Sequence, residues 1–529
     1  MIKIERSLRS LLINLQGVDS KGFENLVTDL QIKGLTLDSR AVKDGMLFVA
    51  LKGTQTHGLH YALNAQQQGA AAILWESDTV PNQIQLLDEL HIPVIEIIDL
   101  SAKLGEIAQR YYQIINQTRQ IQSQSNYGLK IIGVTGTDGK TSVTHFFAQA
   151  MNVLMPNKSA IIGTLGIGFT DHLQQTTHTT PDVLTVHKTL RQLAKEGVKI
   201  VAMEVSSHAL DQGRVDGVEF TVAILTNLTR DHLDYHGTLE QYAAAKEKLF
   251  LRPELCCAVL NTEDAFSQQI ENSLLEKGRN RSIARIARYS IKSATDTKIE
   301  TELTAEDAQF THSGIQAKLS FGNQQGILNV AVLGRFNLSN LLATLATMLA
   351  LDVPFSDALS ALNKVKTVPG RMEKIDAGNR DANDRLVVID YAHTPAALES
   401  VLKALRHHTT QRIICVFGCG GDRDKGKRPL MGHIAEHYAD KVIVTNDNPR
   451  TEDPKQIMQD IIAGFEQRDN IIIEHRRASA IRIAIGDAEA GDVVLIAGKG
   501  HEQVQIFADV SEAFDDRQQA AQALQELDV

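Results

Sequence analysis

The 529-residue chain has only four cysteines, eleven prolines and one tryptophan. Four cysteines are too few for a disulfide framework at this length, and none pairs with histidine at zinc-binding spacing, so we expect reduced, structural thiols. The longest near-apolar run, Leu341–Leu351, is too short to cross a bilayer, and its spacing predicts a buried amphipathic helix. The charged N-terminus lacks a signal-peptide core. We therefore expect a cytoplasmic protein without membrane contact.

No block of lysine and arginine is long enough to form a basic tail, and the net charge is −10 with a pI near 6.0. These values disfavour a nucleic-acid surface. An acidic chain can still bind anions locally, through individual arginines and helix N-termini. The hydrophobic content of 43% is ordinary for globular proteins.

Short apolar runs that end in polar tips alternate with helical patterns along most of the chain, which predicts an α/β fold with mostly parallel sheets. The Gln- and Ser-rich stretch 116–127 is the best linker candidate, residues 285–335 look β-rich, and another α/β unit begins near Pro369. We predict three domains: 1–118, 119–368 with a phosphate-binding loop, and 369–529 with a Rossmann-like pattern.

Residues 131–142 predict a strand, a glycine loop and a helix that starts near Lys140-Thr141. Such a loop can bind phosphate oxygens through its N–H groups, with a lysine for charge and a threonine hydroxyl for Mg²⁺. The spacing Gly-x-x-Gly-Lys-Thr is shorter than the usual P-loop, so an ordinary glycine turn is the alternative. The order of strand, loop and helix favours a nucleoside triphosphate site.

Other strand ends carry chemically useful side chains. Glu204 could complete an Mg²⁺ site or could be a solvated carboxylate, and position alone does not decide. The dense run 230–236 places His232 where it could bind a cation, although a lone histidine is usually structural. Lys246 lies in an alanine-rich run that suggests a closely packed helix face, although a solvated lysine is the default interpretation. Asp390 and His393 could contact a nucleotide, with an Asx turn before proline as the alternative.

Three tips of the last unit combine glycines with charge: 418–428, 447–450 and 498–502. Arg423 and Arg450 suit carboxylates, and Glu502 suits an ammonium group. Each motif is weak alone. Because all three follow strands of one predicted sheet, together they predict a pocket for a zwitterionic amino acid.

The order and spacing of these motifs resemble the Mur ligases over essentially the whole chain. The segments that carry the resemblance are Thr36–Arg40, Gly136–Ser142, His178–Pro181, Met203–His208, Asp231–Gly237, Gly334–Asn337, Gly370–Glu373, Asp390–Pro395 and the three C-terminal tips. The resemblance implies a UDP-binding domain, a central ATPase and a C-terminal amino-acid domain. It is strongest to the members that add meso-diaminopimelate to UDP-N-acetylmuramoyl-L-Ala-D-Glu with ATP and Mg²⁺, and we expect a monomer.

The resemblance also implies roles for individual residues. The UDP moiety would contact Leu37, Ser39, Thr54, Gln55 and Thr56, and the muramoyl-dipeptide would contact His178, Thr179, Thr180, Ser206, Gln212 and Arg214. ATP would contact Gly136, Thr137, Asp138, Gly139, Lys140, Thr141, Ser142, Asn337, Arg371, Asp390 and His393. Diaminopimelate would contact Arg423, Asp447, Asn448, Pro449, Arg450, Gly498 and Glu502.

Lys140, His232 and Lys246 would be the catalytic residues by the same resemblance. Thr141 and Glu204 would bind one Mg²⁺, while His232 and Lys246 would bind a second. Lys246 would do so as N6-carboxylysine, a carbamate formed with CO₂, because a free ammonium group would repel the cation.

Two residues depart from the family pattern: Asp138 stands where asparagine is expected, and His178 where asparagine or threonine is more usual. Arg450 would pair with the distal carboxylate of diaminopimelate, which lysine lacks, so a lysine-adding ligase is the nearest rival. A folylpolyglutamate synthase and a P-loop switch protein are further alternatives. The switch would leave Arg423, Arg450 and Glu502 without a role.

Overall fold

The computed structural model describes residues 4–16, 30–53, 56–77, 83–113, 127–277, 285–291, 302–375, 385–467 and 471–527. Thr54, Gln55 and most of the predicted linker lie outside these ranges. The chain divides into two compact units. Unit 1 comprises Met1–Thr144, Met155–Leu260 and Asp264–Ala287, and unit 2 comprises His145–Leu154, Asn261–Glu263 and Arg288–Val529.

Unit 1 begins with a small parallel sheet whose strands follow one another in sequence order. Its apolar strands pack against short helices, as expected for a sheet covered on its faces. The strands are β1 Arg6–Ser7 and β2 Gln31–Ile32, which form a separate pair, and β3 Gly34–Thr36, β4 Met46–Ala50, β5 Ala72–Glu76 and β6 Val94–Ile97. The helices are α1 Leu8–Leu12, α2 Ala62–Gln67, α3 Gln83–Asp88 and α4 Leu100–Tyr112, with 3₁₀ turns at Ser39–Ala41 and Gly58–Tyr61.

The second sheet region of unit 1 has the strand order β10-β9-β8-β11-β7-β12-β13. The strands other than β9 and β10, which form a hairpin, are parallel to one another. The carboxyl ends of these parallel strands therefore lie at one edge of the sheet. The strands are β7 Lys130–Thr135, β8 Ser159–Gly163, β9 Gly166–Phe169, β10 His172–Gln174, β11 Ile200–Glu204, β12 Val222–Leu225 and β13 Cys257–Asn261. The helices that accompany these strands in sequence are α5 Lys140–Leu154, α6 Val183–Lys195, α7 Ser207–Asp211, α8 Leu233–His236, α9 Leu239–Glu247 and α10 Ala265–Lys277. The division into units falls within α5, since its residues His145–Leu154 belong to unit 2.

The predicted β-rich segment forms four strands: β14 Arg285–Ile291, β15 Leu303–Thr311, β16 Gly314–Phe321 and β17 Gln324–Val330. The last three form an antiparallel meander. Helices α11 Arg335–Ala350 and α12 Phe355–Leu362 follow. The predicted helix around Leu341–Leu351 is confirmed, and α11 is buried over most of its surface rather than along one stripe.

Unit 2 also contains a six-stranded sheet of order β18-β19-β23-β20-β21-β22, parallel except at β18. Its strands are β18 Glu373–Lys374, β19 Leu386–Asp390, β20 Ile413–Phe417, β21 Lys441–Val444, β22 Ile471–Ile473 and β23 Val493–Ala497, and β24 Val504–Phe507 pairs with β25 Val510–Ala513. The helices are α13 Pro395–Arg406, α14 Lys427–Tyr438, α15 Pro454–Ile462, α16 Arg477–Asp487 and α17 Asp516–Leu527.

The predicted α/β class and mostly parallel sheets are confirmed. All four cysteines are free, as predicted. Among the helices of the described ranges, none combines the length and apolarity that crossing a bilayer requires. The three domain boundaries stay a prediction.

Candidate active site

A cavity of about 850 Å³ opens at the carboxyl ends of β3 and β4 in unit 1. Leu37, Ser39 and Thr56, which the sequence assigned to UDP, all line it, together with Tyr61. The Thr56 Oγ1 lies 3.4 Å from the Tyr61 hydroxyl. The cavity therefore brings together the three predicted residues that the structure describes.

The turn after Lys130–Thr135 is fixed by its neighbours. Gly136 has a φ of +148°, and a Cβ there would lie 1.8 Å from Thr226 Oγ1, so only glycine fits. The Thr137 N–H donates to the carbonyl of Asn227 at 2.9 Å. Helix α5 begins at Lys140, four residues after Gly136, so a helix N-terminus, where anions bind favourably, lies beside this turn.

Lys140 and Thr141 begin that helix and contact the turn and the sheet. The Lys140 ammonium donates to the carbonyls of Gly136 at 2.9 Å and Thr137 at 2.8 Å. The Thr141 hydroxyl donates to Glu204 Oε2 at 2.9 Å, and both side chains are buried. The pairing of Thr141 with Glu204, which position alone left undecided, is present in the structure.

Glu204 is also the centre of a wider hydrogen-bond network. Thr164 donates its N–H to Oε1 at 2.8 Å and its hydroxyl to Oε2 at 3.1 Å. The Thr164 hydroxyl lies 3.1 Å from that of Thr179, and Thr180 donates to the Glu204 carbonyl at 2.8 Å. A Cβ on Gly163 would lie 2.2 Å from Glu204 Oε1, so the adjacent glycine makes room for the carboxylate.

The remaining dipeptide-assigned residues connect to this network. Ser206 donates its N–H to the Thr180 hydroxyl at 3.1 Å. Arg214 donates to the Thr180 carbonyl at 3.1 Å and to Gln212 Oε1 at 2.9 Å. His178 is exposed, and its Nδ1 lies 2.9 Å from the neighbouring Thr177 hydroxyl. Thr180, Ser206, Gln212 and Arg214 therefore form one connected group, whereas the His178 side chain turns away to its neighbour.

Lys246 is not the solvated lysine of the default interpretation, because its side chain is only 1% exposed. Its ammonium donates to the Gly136 carbonyl at 2.8 Å and lies 4.3 Å from the centre of the Tyr242 ring. Burial, reinforced by the positive charge of Lys140, lowers the pKa of Lys246 well below its ordinary value, against the raising effect of Asp231 and Asp138. Burial thus favours a neutral amine.

His232 is half exposed, has a φ of +53°, and lies 6.1 Å from the Tyr242 ring, centre to centre. It belongs to a cluster of packed aromatic and imidazole rings that also contains His208, Tyr235 and His236. Burial, followed by the charges of the other two imidazoles, lowers the pKa of His208. The cluster places His232 and Lys246 against the same tyrosine.

The residues of unit 1 fit Mg²⁺. Within the described ranges, no three His, Cys, Asp or Glu side chains gather as metal ligands. Mg²⁺ commonly uses one or two protein ligands and completes its octahedron with phosphate oxygens and water, so a hydroxyl beside a carboxylate is an adequate donor set. Thr141 with Glu204 provides that set at the nucleotide loop.

In unit 2, the nucleotide-assigned residues surround the end of β19. Asp390 accepts the N–H groups of Met372 and Ala392, each at 2.8 Å. The Arg371 guanidinium lies 4.8 Å from the centre of the Tyr391 ring, and its buried Nε has no hydrogen-bond partner among the described residues. The Asx-type contact of Asp390 is therefore present, and it holds the Arg371 segment in place.

His393 and Asn337, also assigned to the nucleotide, differ in exposure. His393 is exposed, with Nδ1 2.8 Å from the Tyr391 carbonyl. Asn337 is buried at 1% exposure and is hydrogen-bonded to Leu333 and Asn340. Their proposed contacts with ATP remain predictions.

The three C-terminal tips follow β20, β21 and β23, which are neighbours in order β23-β20-β21. Arg450 has a φ of +53° and donates to the Gly421 carbonyl at 2.7 Å, which ties two tips together. Glu502 accepts from Asn448 Nδ2 at 3.0 Å. A Cβ on Gly498 would lie 2.7 Å from Asp447 Oδ2, so this glycine permits the close approach of the third tip. Arg423 is exposed beside them and Pro449 is buried.

Two residues at these sites escaped the sequence analysis. Thr164 directly follows β8, so it lies at a strand end like Glu204 and Asp390, which the sequence singled out. This position was the only feature of the sequence that could have indicated it. Lys499 lies inside the motif 498–502, yet its complete burial and its contacts were not foreseen. Both bind a carboxylate that the sequence did single out.

Three family models match the chain in succession. They are the Mur ligase family, catalytic domain, over residues 31–112; the Mur ligase middle domain over residues 134–348; and the Mur ligase, glutamate ligase domain, over residues 370–500. Each match falls within one of the three predicted domains.

Curated relatives match over nearly the full length. The chain is 44% identical over 506 residues to UDP-N-acetylmuramoyl-L-alanyl-D-glutamate–2,6-diaminopimelate ligase of Pseudomonas putida, covering 96% of this chain and 97% of that one. It is 42% identical over 509 residues to the protein of the same name from Coxiella burnetii, covering 96% and 99%. A solved structure of a ligase with that name is 34% identical, covers 99% of both chains and has a TM-score of 0.70.

These matches are to ligases over nearly the whole chain, and they exclude the P-loop switch. The chain belongs to the Mur ligase family.

Proposed function

We propose that the chain is an ATP-dependent ligase that adds meso-diaminopimelate to the γ-carboxylate of D-Glu in UDP-N-acetylmuramoyl-L-Ala-D-Glu, a step of peptidoglycan precursor synthesis. The observation that carries the choice of amino acid is the cluster of strand tips in unit 2. There Asn448 donates a hydrogen bond to Glu502, and Arg450, two residues further along, donates to the Gly421 carbonyl of a neighbouring tip. This cluster offers cationic and anionic groups to a ligand that carries two carboxylates and two amines.

The reaction has two steps. The D-Glu γ-carboxylate attacks the γ-phosphorus of ATP, which releases ADP and leaves an acyl phosphate. The neutral amine of diaminopimelate then attacks the acyl carbon, and the tetrahedral intermediate collapses to the amide, phosphate and a proton. In this proposal Lys140 leaves the loop carbonyls for the ATP phosphates, where positioning and charge stabilisation supply most of the catalysis. Mg²⁺ at Thr141 and Glu204 would neutralise phosphate charge.

Specificity against lysine would come from Arg450. Lysine lacks the distal carboxylate, so its binding would leave a partly buried guanidinium without its ligand partner. A charge-assisted hydrogen bond contributes about 1.5–3 kcal/mol, and the loss of several partners multiplies the discrimination. We expect at least a hundredfold, on the order of 10²–10³, in kcat/KM.

Lys246 is proposed to carry a carbamate. Its neutral amine would attack CO₂ and lose a proton, giving a carbamate anion beside the loop that follows β7. Such an anion, with His232, would suit a second Mg²⁺. We expect ¹³CO₂ to give a carbamate carbon signal by NMR in the wild-type protein. The signal should vanish in Lys246→Met and persist in Lys248→Met, whose lysine is exposed and paired with Asp211. An identical spectrum for all three proteins would exclude the modification.

ATP, the nucleotide-sugar dipeptide and the amino acid are the proposed partners. We also propose that the enzyme is a monomer in the cytoplasm.

The test is phosphate release by the wild-type chain with ATP, Mg²⁺ and UDP-N-acetylmuramoyl-L-Ala-D-Glu, with meso-diaminopimelate or L-lysine added in parallel. We expect turnover with diaminopimelate and little with lysine. Turnover with lysine would retain the ligase and overturn the specificity. Phosphate release that ignores both amino acids would overturn the ligase itself.

A further inference from the structure

Lys499 is a completely buried cation at the tip that follows β23, with 0% side-chain exposure. Lysine is almost never buried without a partner, because removing its charge from water is costly. Its ammonium donates to Asn448 Oδ1 and to Glu502 Oε2, each at 3.0 Å. Both partners are residues that the proposed function assigns to the amino acid.

The three side chains close a triangle, because Asn448 Nδ2 also donates to Glu502 Oε2 at 3.0 Å. The orientation of the Asn448 amide follows from its neighbours, since Oδ1 accepts both from Lys499 and from the N–H of Ile506 at 3.1 Å. Reversing the amide would direct its NH₂ group at two donors. Lys499 therefore fixes which end of Asn448 faces Glu502.

We propose that Lys499 is a positioning residue of the amino-acid site, which holds Glu502 and Asn448 in the geometry that binds the incoming amino acid. The inference rests on the proposed function and deepens it. Both donors of the triangle go to Glu502 Oε2, and no described residue donates a hydrogen bond to Oε1. The Glu502 side chain is 32% exposed, so Oε1 remains available to an ammonium group.

The triangle also joins two tips that are not sheet neighbours, since β20 lies between β23 and β21. On the β21 side, Arg450 has a φ of +53°, a backbone strain that its surroundings must hold. Its N–H donates to the Ile506 carbonyl at 3.1 Å. Lys499 thus holds Asn448, and the Ile506 carbonyl holds Arg450, within the same tip 447–450. A shift of Asn448 would therefore move Arg450 as well.

The test is steady-state kinetics of Lys499→Met, which preserves chain length and apolar volume and removes the charge. We expect the KM for meso-diaminopimelate to rise by about 10- to 100-fold, because Glu502 loses the charge-assisted hydrogen bond from Lys499. The KM values for ATP and the nucleotide-sugar dipeptide should stay within about twofold, and kcat should fall far less than KM rises. Lys441→Met is the matched control, because Lys441 begins β21 of the same sheet and forms an ion pair with Asp487, the last residue of α16, at 2.9 Å.

A purely structural lysine would lower the thermal midpoint of Lys499→Met and leave the KM for diaminopimelate unchanged, and that result would overturn the inference. If the methionine variant does not fold, Lys499→Gln, which can still donate to Asn448, is assayed for the same rise in the KM for diaminopimelate. Failure of both variants to fold would also overturn it, in favour of a structural role. Absence of turnover in the wild-type chain would instead count against the proposed function.

Discussion

His187 shows how burial fixes the protonation of one side chain in unit 1. Its Nε2 lies 2.8 Å from the Asp216 carbonyl, which can only accept a hydrogen bond, so Nε2 carries the proton. Nδ1 then accepts from the Tyr127 hydroxyl. Burial lowers the pKa of His187 to about 4, reinforced by Arg252 and opposed by the hydrogen bond and charge of Asp216. The imidazole is neutral in the folded chain.

This neutral state predicts acid sensitivity. The pKa of His187 is 6.5 in the unfolded chain and about 4 in the folded chain. Between these pH values the unfolded chain binds a proton that the folded chain does not bind, so the free energy of unfolding falls as pH falls through this range. The full effect is about 3 kcal/mol for one such histidine. We expect His187→Gln to be less stable at pH 7 and to lose less stability between pH 7 and 5 than the wild-type chain. Urea midpoints at the two pH values measure this, and parallel pH slopes would contradict it.

The strands and their polar tips could be predicted from sequence because their cause is local. A run such as 386–390, apolar and β-branched up to its final Asp390, forms a buried parallel strand wherever helices cover both faces. The Gly136 turn was also predictable, since glycine, lysine and threonine follow a strand in a fixed order. The exact end of a strand is less predictable, because hydrogen bonding to neighbouring strands, rather than composition, decides where it stops.

The contacts between tips could not be predicted in the same way. Lys499 binds Asn448, 51 residues earlier in the chain, and nothing near either residue encodes that distance. Glu204 illustrates the same limit, since its hydrogen bond to Thr141 depends on the parallel pairing of β11 with β7. The strand-end position of Glu204 left two interpretations open and the resemblance to Mur ligases favoured the metal site, but neither indicated Thr164 or Lys499. The burial of Lys246 also depends on tertiary packing, and the alanine-rich run around it suggested a packed helix face without deciding whether the lysine itself is buried.

The chain as a whole carries a net charge of −10, yet two of its proposed substrates are anions. Binding must therefore depend on shaped local sites rather than on overall attraction. The cavity of about 850 Å³ in unit 1 is such a site, and Tyr61 on its wall is 49% exposed. An exposed aromatic ring beside a cavity can stack on a uracil base, which contributes about 1–3 kcal/mol in comparable base contacts.

Ligand binding at this cavity should stabilise the folded chain, because a ligand that binds only the folded state adds RT ln(1 + [L]/Kd), about 2.7 kcal/mol at a hundred times Kd. We expect UDP-N-acetylmuramoyl-L-Ala-D-Glu to raise the thermal midpoint of the wild-type chain. Tyr61→Ala should lose most of this shift at the same ligand concentration and keep the shift caused by ATP and Mg²⁺. Ile98→Ala is the matched control, because Ile98 is 56% exposed and does not line the cavity. If Tyr61→Ala kept the full rise in thermal midpoint, the nucleotide sugar would bind without Tyr61, and the assignment of the cavity to UDP would be wrong.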